Sequence, residues 1–177
     1  IMWETAHACR GIVRYGLDAE CGQEVREEEP RTIHEVTLTG LTPDMLYYYS
    51  TLSPAESQGD DVSAADSLPT DVRTFQTAAG PDDPVAFTVI CDSQAQPEVV
   101  KRVAEAMWEF RPQFALLGGD LVTTGTNKKH WTEHYFPNMD PLASRVVVYP
   151  VLGNHEQNAT HYYNYMHLPE PEYYYTF

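Results

Sequence analysis

The sequence predicts a multi-domain α+β chain: a small β-sandwich followed by an α/β domain. In residues 1–78, short runs of apolar and polar residues alternate between turn residues, which is typical of a sandwich of antiparallel strands. In residues 85–177, longer apolar runs flank a segment of helical periodicity, which predicts a strand–helix–strand unit and a parallel sheet. Residues 79–84, Ala-Gly-Pro-Asp-Asp-Pro, have the composition of a linker between the two parts.

The charge of the chain limits its partners. The 177 residues carry a formal net charge of −15 at pH 7. Residues 1–84 contribute −11 and residues 85–177 contribute −4. This surface repels phosphate backbones, so we expect no nucleic-acid partner. No apolar run is long enough to span a bilayer, so we expect no membrane segment.

Short strands make up most of the first part. Thr32 to Leu38 alternates, and we expect Ile33, Val36 and Leu38 to point inward. The charged stretch 24–30 predicts an exposed edge or loop, and the Ser-, Ala-, Asp- and Pro-rich stretch 53–71 predicts a solvated loop. The expected strands are 1–5, 11–16, 32–38, a run through the tyrosines at 47–49, and 72–77.

A corner in the first part contains Leu38, Leu41, Pro43 and Tyr47. These residues match the Leu-x-x-Leu-x-Pro corner, with its tyrosine, of fibronectin type III-like domains, which residues 1–78 therefore resemble. The resemblance implies that the hydroxyl of Tyr47 bonds back to the backbone at the corner.

The chain has three cysteines, Cys9, Cys21 and Cys91. Cys9 and Cys21 are separated by one predicted strand and turn, and two alternatives are open: a disulfide between neighbouring strands, or two free thiols. A disulfide would indicate an oxidising compartment, and we expect a secreted protein, extracellular or periplasmic. Cys91 ends a predicted buried strand and is expected to be a free, inert core thiol.

The second part opens with a predicted strand, 85–91, and a predicted helix, 96–110. Pro97 suits the first helical position. One apolar stripe recurs along this helix, and we expect the stripe to pack against the sheet. It consists of Val99, Val103, Met107 and Phe110.

The remainder of the second part contains two more predicted strands, beginning at Phe114 and at Val146. The connection between them is less regular, and 132–136 predicts a short helix. Residues 172–177 begin what resembles a further strand, and the sequence stops within it. This predicts that the chain is a fragment.

Each of the three apolar runs in the second part ends on an oxygen-bearing side chain, namely Asp92, Asp120 and Asn154. Because ligands bind outside the carboxyl ends of parallel strands, these side chains are expected to converge. Two neighbouring carboxylates repel unless one is protonated or a cation lies between them. No Lys or Arg closely follows any of the three strand ends, so a metal site is predicted.

The sequences Gly118-Gly-Asp120 and Gly153-Asn-His-Glu156, in this order and each after an apolar strand, resemble the calcineurin-like metallophosphoesterases. With a sandwich in front, the chain resembles the purple acid phosphatases of that group. The resemblance implies that Asp92 binds a first metal, that Asp120 bridges two metals and that Asn154 binds the second. It also implies that His155 lies near the phosphate without binding metal.

The chain departs from the family pattern in three places. Thr123 stands where purple acid phosphatases have a tyrosine, which puts tight ferric binding in doubt. Gln94 stands where many relatives have a histidine, so it could bind a metal weakly, orient a water or cap the helix. The later histidine ligands of the family would lie beyond residue 177.

The resemblance implies a metal-dependent phosphoester hydrolase with two metal ions, acting on a phosphate-ester substrate as a phosphomonoesterase or phosphodiesterase. Oxygen and histidine ligands suit Fe, Mn or Zn. The alternative is a non-catalytic binding or adhesion module with a degenerate or incomplete site. The presence of Asp92, Asp120, Asn154 and His155 together favours the enzyme.

Overall fold

The computed structural model describes residues 1–53 and 71–176. The chain divides into two compact units, Ile1–Ala78 and Ala79–Phe177. Residues 79–84, predicted as a linker, lie in the second unit. The predicted solvated loop falls almost entirely outside the described residues. Within the described ranges, no helix combines the length and the apolar character that crossing a membrane requires.

Two antiparallel sheets make up the described part of the first unit. Their strands are β1 (Met2–Cys9), β2 (Ile12–Gly16), β3 (Gln23–Arg26), β4 (Arg31–Glu35), β5 (Leu46–Leu52) and β6 (Arg73–Gln76). One sheet pairs β1 with β4, and the other has the order β3-β2-β5-β6. The charged stretch after residue 23 therefore begins as an edge strand, and its side chains are mostly exposed.

Aromatic side chains form a core cluster in the first unit. Tyr15, Tyr47 and Tyr49 are buried there, and the ring of Phe75 stacks on Tyr47 with centroids 5.7 Å apart. The hydroxyl of Tyr47 accepts a hydrogen bond from the backbone N–H of Thr42 at 3.1 Å, so the contact expected at the corner is present. The assignment to a fibronectin type III-like domain stays a prediction.

A buried histidine was not predicted from the alternation along β4. Val36 is buried as expected, and Ile33 and Leu38 are half-buried, but His34 is 0% exposed. Its Nδ1 lies 2.5 Å from Oε2 of Glu27. An ionisable side chain can be buried when it is hydrogen-bonded in this way, which a hydrophobic pattern does not reveal.

All three cysteines are free thiols. Sγ of Cys9 lies 3.8 Å from Nε2 of His34, and Sγ of Cys21 lies 3.9 Å from the carbonyl oxygen of Asp18, so the disulfide alternative is wrong. The prediction that Cys91 is buried is also wrong, because its side chain is exposed. Cys91 continues the face of β7 that carries exposed Phe87 and Val89, which explains the difference.

The second unit contains a parallel sheet with helices between its strands. The elements are β7 (Phe87–Ile90), α1 (Pro97–Glu109), β8 (Phe114–Leu117), α2 (Phe136–Ala143), β9 (Val147–Pro150) and α3 (Thr160–Tyr165). A π-helical turn, His130–Tyr135, leads into α2 and covers the predicted short helix. The sheet order is β7-β8-β9, and both pairings are parallel, as predicted.

The apolar stripe predicted for α1 is mostly wrong. Of its four residues only Met107 is buried, whereas Val99 is 47% and Phe110 is 76% exposed. The buried face of α1 is instead formed by Val100, Ala104 and Met107, and α1 contacts α2. Two adjacent stripes both satisfy a period of 3.6 residues, and the packing partner selects between them.

The last part of the chain packs through aromatic rings. Trp131 is fully buried, and its ring centroid lies 6.0 Å from Tyr165 and 6.5 Å from Tyr162. The strand predicted for 172–177 is wrong for the described residues, because 172–176 form bends and irregular backbone.

Candidate metal centre

The three strand ends that the sequence singles out lie side by side. The carboxyl ends of β7, β8 and β9 meet at one edge because the strands are parallel. Backbone hydrogen bonds continue past the strands: the N–H of Asp92 donates to the carbonyl of Gly119 at 3.1 Å, and that of Val151 donates to Leu117 at 2.9 Å. The loop of each strand end is thus tied to its neighbour.

Asp120 occupies the middle of this edge. Its backbone is left-handed, with φ at 54°, a region that Asp enters more readily than most residues. Its Oδ1 accepts a hydrogen bond from the backbone N–H of His155 at 2.9 Å. Within the described residues, Oδ2 accepts no hydrogen bond and no Lys or Arg pairs with the carboxylate. One oxygen is thus held in place, and the other is available for a ligand.

Asp92 and Asn154 flank Asp120 on the neighbouring loops, and both are exposed. Asp92 also has a positive φ, 55°, which turns the chain sharply after β7. Neither side chain has a hydrogen-bond or ion-pair partner in the part of the chain that the structure describes. Both can therefore accept a ligand without losing an internal contact.

Gln94 has the clearest unfulfilled polar atom near this edge. Its Oε1 is buried and has no hydrogen-bond partner among residues 1–53 and 71–176. Its carbonyl oxygen accepts a bond from the hydroxyl of Thr123 at 2.8 Å. The helix-capping alternative is wrong, because Gln96 occupies the cap position of α1. A buried oxygen without a partner is normally satisfied by a hydrogen-bond donor or a cation.

His155 is half-buried, and its ring orientation is defined. Nδ1 lies 2.8 Å from the carbonyl oxygen of Thr123. A carbonyl can only accept, so Nδ1 carries the proton. Nε2 is then the nitrogen that can hold or release a proton toward a bound molecule.

Glu156 was not predicted as a site residue, yet it makes the most contacts of this group. It is 0% exposed, and its carboxylate accepts bonds from the backbone N–H groups of Asp120, Leu121, Val122 and Gly153. The only sequence signal for it is an acidic residue directly after a Gly-Asn-His run.

The charge of Glu156 extends to the aromatic core behind the site. Burial, and then the negative charge of Glu156, raise the pKa of Tyr135 well above its usual range. The same causes, together with neighbouring tyrosines, raise the pKa of Tyr162. The hydroxyl of Tyr162 donates to the carbonyl of Pro150 at 3.0 Å. Both phenols therefore stay neutral and act as packing groups.

Glycines permit the close approach of the loops. A Cβ on Gly153 would lie 2.1 Å from Oδ1 of Asp120, and one on Gly125 would lie 2.0 Å from the carbonyl oxygen of Glu156. Gly119 has φ at +89° and backs directly onto Gly153. The glycines next to the polar residues in the sequence are thus required by contacts between loops.

The side chains present fit a metal through oxygen donors. No cluster of three or more His, Cys, Asp or Glu side chains suited to a metal occurs in the described residues. The candidate set has two carboxylates, Asp92 and Asp120, and its other members, Asn154 and Gln94, are amides. Two unpaired carboxylates and an orphaned amide oxygen suit a hard cation.

Comparisons with known proteins agree with this architecture. A family profile described as calcineurin-like phosphoesterase matches residues 85–177, more than half of the chain. No curated protein matches the sequence. The solved structure of purple acid phosphatase PPD1, isolated from yellow lupin (Lupinus luteus) seeds, is similar in fold, with a TM-score of 0.73 and 13% identity. The similarity covers 97% of this chain and 38% of the lupin chain.

Proposed function

The chain belongs to the calcineurin-like phosphoesterase family, and on that premise we propose that it contributes to a metal-dependent phosphoester hydrolase with a binuclear metal centre. The reaction is hydrolysis of a phosphate monoester or diester, as in an acid phosphatase. The chain spans 38% of the lupin phosphatase chain, so this activity is proposed for the protein of which these residues are part.

One observation carries the proposal. Three adjacent parallel strands are each followed within about four residues by an oxygen-bearing side chain, and the described residues supply no cation to the two carboxylates among them. Asp92 and Asp120 carry like charges after neighbouring strands, which makes a bound cation favourable there. The buried Oε1 of Gln94 adds a fourth oxygen that lacks a partner.

In the proposed arrangement, Asp92 would hold one metal ion, Asn154 would hold the other through its amide oxygen, and Asp120 would serve both. Gln94 binds weakly or orients a water. Iron, manganese or zinc bound here would polarise the phosphoester and lower the pKa of bound water. The hydrogen bond from the N–H of His155 to Oδ1 of Asp120 supports this arrangement, because it orients the proposed bridge.

His155 is the proposed general acid. Its Nδ1–H is anchored on the carbonyl of Thr123, which leaves Nε2 as the ring nitrogen that is available to a bound molecule. A proton held on Nε2 can pass to the oxygen of the leaving alcohol, which stabilises that oxygen as the ester bond breaks.

The test replaces the proposed bridge. Asp120→Asn keeps Oδ1 as an acceptor for the N–H of His155, so the fold should survive, but it removes the shared negative charge. We expect hydrolysis of an aryl phosphate monoester and of an aryl diester to fall below detection. We also expect fewer Mn²⁺ ions per chain in equilibrium dialysis.

The matched control is Asp82→Asn, the same chemical change on an exposed residue that precedes β7. It should leave both turnover and Mn²⁺ binding unchanged. Turnover at the native rate in Asp120→Asn would contradict the proposed function.

The second candidate is a non-catalytic binding module. It is favoured by the lack, in the described part of the chain, of three clustered His, Cys, Asp or Glu side chains. A binding module would show no turnover in the native protein with Mn²⁺, Zn²⁺ or iron, and Asp120→Asn would then change nothing that an activity assay measures.

A further inference from the structure

We propose that Glu156 is a positioning residue, whose carboxylate holds the loop of Asp120 and the loop of Asn154 at a fixed distance from each other. It thereby sets the spacing between two proposed metal-binding residues without contacting metal or substrate. The inference rests on the proposed function only in so far as these two residues bind metal.

A single oxygen of Glu156 joins the two loops. Oε2 accepts a bond from the N–H of Asp120 at 2.8 Å and another from the N–H of Gly153 at 2.6 Å. Oε1 accepts from Leu121 at 2.7 Å and from Val122 at 3.3 Å. The carboxylate thus binds three consecutive N–H groups after β8 and one N–H after β9.

Only a carboxylate satisfies all four donors. Its two oxygens together offer about four acceptor positions, whereas an amide presents one oxygen and an NH₂ donor. In Glu156→Gln, whichever pair of N–H groups faces the NH₂ loses its acceptor. The side chain is 0% exposed, so water does not replace it, and each buried donor left without an acceptor destabilises the loop that carries it.

The Asp120 loop needs such external support. A non-glycine residue with φ at 54° is strained relative to the right-handed regions. Such a conformation persists when the surroundings over-determine it. Here the N–H of Asp120 is held by Glu156, its Oδ1 by His155, and the carbonyl of His155 by the N–H of Gly125 at 2.8 Å.

The experiment compares Glu156→Gln with Glu133→Gln, the same change on an exposed residue of the π-helical turn. Amide hydrogen exchange is followed by NMR at single residues. In Glu156→Gln we expect exchange to accelerate by at least about tenfold, at Asp120 and Gly153 together if the NH₂ replaces Oε2, or at Leu121 and Val122 together if it replaces Oε1. Exchange at Leu117, within β8, should stay at the native rate, and Glu133→Gln should change none of these.

Metal affinity provides the second readout. At a temperature where circular dichroism shows each variant fully folded, we expect the affinity of Glu156→Gln for Mn²⁺ to fall about 10- to 100-fold. A purely structural role would lower the melting temperature and leave this affinity unchanged. Glu156→Asp keeps the charge but is one methylene shorter. Its affinity for Mn²⁺ should therefore lie between that of the native protein and that of Glu156→Gln.

If Glu156→Gln does not fold, Glu156→Asp carries both measurements. Native exchange rates at all four of the N–H groups that Glu156 binds, or acceleration at only one of Asp120 and Gly153, would overturn the positioning role. So would native Mn²⁺ affinity in a folded variant with loosened loops. Joint acceleration in a protein whose native form binds no Mn²⁺ would support the positioning role and contradict the proposed function instead.

Discussion

His155 makes two contacts with different roles, one through its backbone and one through its ring. Its backbone N–H holds the carboxylate of Asp120 at 2.9 Å, while its ring is anchored through Nδ1 to Thr123 at 2.8 Å. A side-chain substitution removes the ring and keeps the backbone contact. The chemical role of the imidazole can therefore be separated from the orientation of the proposed metal bridge.

On this basis we expect His155→Ala to retain Mn²⁺ binding and to lower kcat by about 10²–10⁴-fold. The loss should be smaller for an ester with an acidic leaving alcohol, which departs without a proton. Steady-state hydrolysis of two aryl phosphates with different leaving-group pKa values measures this. An equal loss for both esters would argue against His155 as the general acid.

Helix α1 has a clear helical periodicity, but the face that it buries differs from the face that the sequence predicts. Its buried residues are Val100, Ala104 and Met107, and the neighbouring stripe is largely open to solvent in the second unit. Val99 and Phe110 line a shallow groove with Val89 of β7.

This arrangement predicts unequal costs for two truncations on α1. Met107→Ala should lower the free energy of unfolding by about 2–5 kcal/mol, because Met107 is 8% exposed. Val99→Ala should change it by no more than about 0.5 kcal/mol, because Val99 is 47% exposed. Urea denaturation of both variants provides the measurement. Comparable losses of unfolding free energy would mean that the stripe containing Val99 is also buried in solution.

The whole molecule carries a charge of −15, and its response to acid depends in part on carboxylates that the fold holds in hydrogen bonds. Glu27 is one of them, with a side chain 6% exposed. Its oxygens accept bonds from the N–H of Gly11 at 2.9 Å and of Glu35 at 3.3 Å, and Oε2 contacts Nδ1 of His34. Since Gly11 precedes β2 and Glu35 ends β4, Glu27 links the two sheets of the first unit.

Burial alone would raise the pKa of Glu27, but the hydrogen bonds from His34, Gly11 and Glu35 outweigh it and lower the pKa below its usual value. The carboxylate therefore stabilises the fold above the unfolded pKa of about 4.3. This stabilisation is lost as the pH falls through the lower folded-state pKa.

We expect Glu27→Gln to destabilise the protein by about 1.5–3 kcal/mol at neutral pH. The difference from the native protein should shrink below about pH 4.3 as the native carboxylate becomes protonated. Thermal unfolding followed from neutral to acid pH tests this. Glu28→Gln, an exposed neighbour, is the control and should parallel the native curve. A difference that is independent of pH would contradict the role assigned to the charge.

The sequence by itself determined the features that are local along the chain. The parallel order of β7, β8 and β9 follows from apolar runs separated by crossovers, and both pairings are parallel as expected. The candidate residues Asp92, Asp120 and Asn154 could be named because each lies within a few residues of the end of an apolar run. A strand end and the residue after it are neighbours in sequence, so a pattern can show both.

The tertiary structure alone decided the features that depend on distant partners. Glu156 accepts hydrogen bonds from the N–H groups of residues that lie 34 to 36 positions away in the sequence. No spacing in the sequence predicts such a contact. The buried face of α1 depends on its contact with α2, and the exposure of Cys91 follows from the exposed face of β7 that also carries Phe87 and Val89. Hydrophobic periodicity indicates which residues can be buried. Whether a residue is buried depends on a neighbouring element that covers it, and only the fold supplies that element.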